Sequence, residues 1–100
     1  MTLRHVVMWK LASTDAAERS AQAAELVRRL HALEGFVPQI RAITASANTL
    51  YPEANWDATL TVDFDSVEAL EEYRVHPDHQ EVVAYVASVV SERAVVDFEV

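Results

Sequence analysis

The sequence predicts an α+β fold of the ferredoxin-like type, a β-α-β-β-α-β sandwich with helices over one face of a four-stranded antiparallel sheet. Four segments alternate apolar and polar residues at strand period, and the rest of the apolar pattern recurs at helical spacing. Their order is strand, helix, strand, strand, helix pair, strand, with little Gly or Pro between them.

Residues 3–11 form the first strand: Leu3, His5, Val7, Trp9 and Leu11 share one face, and Arg4, Val6, Met8 and Lys10 the other. Both faces carry apolar groups. Ser13 or Thr14 caps the next helix, with Glu18 near its positive end. That helix is expected over residues 15–33, burying Ala23, Leu26, Val27, Leu30 and Leu33, and Gly35 ends it. Residues 36–45 read as the second strand, entered near Pro38, which cannot donate to a ladder and so belongs at a strand start or edge. Residues 46–55 are a polar loop. The third strand spans residues 56–64, with Trp56, Ala58, Leu60, Val62 and Phe64 on one face. Asp65 or Ser66 caps a short helix that buries Val67, Leu70 and Tyr73. A second helix begins at Pro77, where a missing N–H is no loss, and carries Val82, Val83, Val86, Val89 and Val90 in register with His79. Residues 94–100 close the sheet, with Ala94, Val96, Phe98 and Val100 opposite Val95, Asp97 and Glu99.

One hundred residues support one domain over residues 1–100, and an apolar share of 51% is enough for a core. The open sheet face is expected to carry Val6, Met8, Thr59, Thr61 and Val95, too apolar for full exposure. Two such faces packed together in a twofold homodimer would cover both, giving a dimeric α/β barrel. The formal net charge is −8, from 16 acidic and 8 basic residues, with Arg28-Arg29 the only basic pair. Nucleic acid, which demands a basic surface, is therefore not expected as a partner, nor is an anionic membrane. No apolar run reaches a membrane span, the chain enters a strand pattern at once rather than a signal peptide, and Cys is absent. A cytoplasmic setting is the expectation.

Chemistry concentrates in Tyr73-Arg-Val-His-Pro-Asp-His79. His79 falls in the first turn of a helix, where burial and the positive helix end both keep an imidazole neutral. A neutral ring can accept a proton, so His79 is the candidate general base, with Tyr73 and His5 as hydrogen-bonding partners for a carbonyl or phenolate oxygen. Val7, Trp9, Val27, Leu30 and Val86 would line an apolar pocket for a small aromatic or alkyl ligand, with His76 beside it. Each of these residues also has a purely structural use. His76 can hold the turn, Tyr73 can be a core ring, and His31 is read as structural or solvent-facing. Arg41 is read as pairing with Asp57 or Asp63. A metal site would draw on His76, His79 and His5, but the spacing is explained by a helix entrance, and neither a metal nor a cofactor is expected. A single glycine excludes glycine-rich phosphate loops.

Arg4-His5-Val-Val-Met-Trp-Lys10, the strand Asn55-Trp-Asp-Ala-Thr-Leu-Thr-Val-Asp-Phe64, Tyr73-x-x-His76-Pro77-x-His79 and Val96-Asp-Phe98 together resemble the stress-responsive dimeric α/β-barrel family. The resemblance covers essentially the whole chain. It implies ferredoxin-like monomers that pair into a barrel. One member of that family is a plant polyketide cyclase that performs an intramolecular aldol condensation, and its general base aligns with His79, its partner tyrosine with Tyr73 and its first-strand histidine with His5. Another pocket histidine of the cyclase falls near Ala58, so that polar contact is missing here. Related barrels include monooxygenases that work without a cofactor. The resemblance thus leaves three readings: a dimeric domain that binds a small hydrophobic or aromatic carbonyl compound, a cyclase or lyase using His79 as base, and a cofactor-free oxygenase.

Overall fold

The computed structural model describes residues 1–100. Its strands are β1 (Leu3–Leu11), β2 (Ala42–Ala47), β3 (Ala58–Phe64) and β4 (Val90–Glu99); its helices are α1 (Ala16–His31), α2 (Val67–Val75) and α3 (Pro77–Val89). The sheet is antiparallel in the order β2-β3-β1-β4, so the ends of the chain's first and last strands lie side by side in a ferredoxin-like α+β fold. No helix is long and apolar enough to cross a membrane.

The strict alternation of β1 decides which way the sheet faces. Leu3, His5, Val7, Trp9 and Leu11 are buried under the helices, while Met8 and Lys10 are exposed. Across the ladder Val7 meets Leu60 on β3 and Val95 on β4, and residues directly opposite share a face. Val95 therefore lies on the helix-covered side with Arg93 and Asp97, which corrects its expected place on the open face. The open face instead carries Val6, Met8, Val96 and Phe98, the last three exposed.

Several boundaries move for local reasons. Asp15, rather than Ser13 or Thr14, caps α1: its Oδ2 accepts from the Glu18 N–H at 2.8 Å, while Ser13 Oγ accepts from the Asp15 N–H at 3.1 Å. α1 stops at His31, and Leu33, though buried, belongs to the turns that follow, with Gly35 at φ 86°. Residues 36–41 do not form a strand. Phe36 and Val37 both donate to the Leu33 carbonyl, Pro38 has no N–H to offer a ladder, and pairing starts only at Ala42. β3 begins at Ala58 rather than at Trp56. β4 starts four residues earlier than the pattern suggests, because the edge of β1 pairs with Glu92 and Arg93 in spite of their polarity.

Ser66 caps α2 by accepting from the Ala69 N–H at 3.1 Å, and Pro77 occupies the first turn of α3. Val67 and Val83, both expected inside, are exposed, whereas Leu70, Tyr73 and Val82 are buried. The ion pairs also differ from expectation. Arg41 pairs with Asp65, Asp57 with Arg19 at 3.1 Å, and Asp63 with Arg4 through two bonds of 2.8 and 3.0 Å.

Candidate functional site

The corner between α2 and α3 brings two rings together. Tyr73 sits three residues before His76 and His79 three after it, and His76 itself is the cap of α3, its Nδ1 accepting from the Asp78 N–H at 3.1 Å. The backbone reversal there sets the Tyr73 and His79 rings 4.0 Å apart between centroids, tilted by 35°. His5, on the facing strand, meets Tyr73 edge-on with 6.4 Å between centroids, and Phe64 packs 5.0 Å from the Tyr73 ring. The three rings border a cavity of about 800 Å³. That lies in the usual range for small-molecule sites.

Hydrogen bonds fix what each ring offers. His79 Nδ1 lies 3.2 Å from the Arg74 carbonyl, which can only accept, so Nδ1 carries the proton and Nε2 keeps its lone pair. Burial pushes the His79 imidazole below its ordinary value; the bond to Arg74 opposes this, and positive charge from His5, Arg93 and Arg74 adds to it. The ring is a neutral acceptor. His5 Nδ1 lies 2.6 Å from the Asp97 carboxylate, which orients the imidazole and leaves Nε2 free on that ring too. Tyr73 is 1% exposed, its hydroxyl has no partner, and burial drives its ionisation far above the ordinary phenol value. It stays a proton donor. Trp9 Nε1 is a second buried donor without a partner, and Trp9 also lines the cavity. A buried donor left unsatisfied costs about 1–3 kcal/mol, which a ligand oxygen would relieve.

Of the residues assigned to the pocket from sequence, His5, Tyr73, His79, Val7, Trp9, Leu30 and Val86 line the cavity. Val27 and His76 are not on its wall: Val27 packs half-buried against the core, and His76 is spent on the helix cap. Asp97 and Arg93 escaped the sequence reading, and both line the cavity. The signal was the alternation Arg93-x-Val95-x-Asp97, legible once Val95 is paired with Val7. No three His, Cys, Asp or Glu side chains converge in a way that would hold a metal ion.

A mostly apolar cavity edged by a few polar groups and roofed by a helix pair on an antiparallel sheet defines a small ferredoxin-like α+β domain. The chain belongs to the Stress responsive A/B Barrel Domain family, whose model matches residues 3–100. It is similar to a dimeric ferredoxin-like protein of unknown function from Bacteroides fragilis, at 26% identity and a TM-score of 0.88 over 99% of this chain and 96% of that one. A second dimeric ferredoxin-like protein of unknown function, from Thermobifida fusca, is 23% identical with a TM-score of 0.84, covering 100% and 92%. The hydroxynitrile lyase of Passiflora edulis shares the fold at 15% identity and a TM-score of 0.77, covering 97% and 91%. A comparison with curated proteins finds no match.

Proposed function

We propose that the cavity binds a small hydrophobic or aromatic carbonyl compound and that His79 acts on it as a general base, in lyase or cyclase chemistry of the aldol type. The observation that carries this reading is the pairing of a neutral His79 ring, its Nε2 free, with a buried, unpartnered Tyr73 hydroxyl at one cavity wall. In the condensing direction His79 Nε2 takes the proton from the carbon next to a carbonyl. The C–H electron pair moves into the new C=C bond, and the C=O π pair moves onto oxygen, where Tyr73 donates a hydrogen bond to the developing charge. The enolate carbon then attacks a second carbonyl, and the resulting alkoxide recovers the proton from His79. His5, held by Asp97, is a further polar contact for the substrate. That a member of the same fold is a hydroxynitrile lyase supports chemistry at a carbonyl carbon.

The test uses acetophenone in D₂O. The protein should speed exchange of the ketone's α-protons, and His79→Ala should slow it by roughly 10²-fold. Equal rates for the two proteins would remove the base role.

The domain works as a homodimer in this reading. Met8, Val96 and Phe98 are 47, 62 and 43% exposed on the open sheet face, an apolar patch that a second copy would cover, and two relatives are described as dimeric. Phe98→Glu puts a charge in that patch, and sedimentation should then show a monomer where the parent is dimeric. A parent that sediments as a monomer would count against pairing.

A further inference from the structure

Positive charge is scarce and largely spoken for along this chain. Of 8 lysines and arginines, seven pair with a carboxylate; Arg93 alone has no such partner. With 16 acidic residues available, an arginine left without a carboxylate is not explained by a shortage of them. Arg93 lies on the edge strand β4 opposite Trp9, on the helix-covered side, and lines the cavity that holds Tyr73 and His79. The acids on the same wall are engaged: Asp97 with His5 at 2.6 Å and Glu71 with Arg74 at 3.4 Å. Arg93 is therefore the one cation of the cavity wall without a counter-charge. Its field reaches the site, since it lowers the proton affinity of both His79 and Tyr73.

We infer that the cavity takes an anionic carbonyl compound, a keto acid by class, whose carboxylate is held by Arg93 at the rim while its carbonyl oxygen lies at Tyr73. This deepens the acid–base reading above and rests on it. A planar guanidinium matches a carboxylate through two parallel N–H···O bonds, which a neutral ligand cannot return. The overall charge of −8 repels anions at a distance, so selection for one has to come from a local cation such as this. Arg93 takes no part in the proton transfer assigned to His79, which makes it a specificity determinant rather than a catalytic residue.

Titrations with 4-acetylbenzoate and its methyl ester, followed by NMR, separate the two ideas. The parent should bind the acid about 10-fold more tightly than the ester. Arg93→Gln, a change at an exposed unpaired side chain, should erase that preference and leave the ester's affinity alone, and Arg93→Lys should restore most of it. Equal affinities in the parent, or a preference that survives Arg93→Gln, overturn the inference. Tyr73→Phe reports on the underlying reading, because it should weaken acid and ester alike. If it weakens neither while Arg93→Gln still removes the preference, the anion clamp stands and the acid–base site falls. A protein that takes neither probe at millimolar concentration overturns both.

Discussion

The two halves of the helix-covered sheet face are built to different ends. Over β2 and β3, α1 and the turns after it fill the space with Leu26, Leu33, Val37 and Ala45, each at most 4% exposed. Over β1 and β4, the same face opens into the cavity and keeps Trp9 Nε1 and Tyr73 Oη without partners. Two histidines make the contrast sharper. His31, in the filled half, uses its Nε2 to accept from the Ala45 N–H at 3.0 Å, tying α1 to β2. His79, in the hollow half, spends Nδ1 on a carbonyl and leaves Nε2 open. Stability is concentrated where apolar packing is complete, and chemistry is available where the cavity leaves ring donors and acceptors open.

Each half of the face answers to its own substitutions. Leu26→Ala should carry the largest cost, about 2–5 kcal/mol of folding stability in a denaturant melt, because a fully enclosed side chain leaves a void that its neighbours cannot fill. A cost near zero would mean that the filled half is looser than described. An intermediate effect is expected from pH. The folded His79 ring has its proton affinity lowered from the usual 6.5, chiefly by burial. As pH falls through 6.5 the unfolded chain takes up a proton that the folded protein refuses, so stability declines until the folded ring protonates as well. His79→Gln should flatten this decline as pH falls through and below 6.5, and an unchanged slope would place the ring in water. The smallest effect belongs to Tyr73→Phe, which removes an oxygen that has no partner. Stability should rise by about 1 kcal/mol, the low end of what an unsatisfied buried donor costs, whereas loss of a satisfied hydroxyl would lower it.

How far these halves could be read from sequence follows the same division. β1 and β3 alternate so regularly that their inward faces, His5 included, follow from the order of residues alone. The Tyr73–His79 meeting was legible too, because Pro77 fixes a helix start between them. β4 resisted. Its apolar Val96 and Phe98 point away from the helices while Arg93 and Asp97 point under them, an inversion of the usual rule that puts polar groups along the cavity and leaves an exposed apolar patch on the opposite face. Choosing the apolar face as the inner one therefore misplaced Val95 and hid two cavity residues. The β2 region misled for a different reason. Residues 36–40 are apolar enough for a strand, but turn hydrogen bonds to Leu33 and the missing donor of Pro38 claim them first.

The wall shared by a neutral imidazole and an unpaired phenol is best probed by a crystal structure with an aryl ketone bound. The expected complex has the ketone oxygen within hydrogen-bond distance of Tyr73 Oη and the carbon bearing its α-protons beside His79 Nε2. A ketone seated elsewhere, or side chains closing the hollow between the three rings, would contradict it.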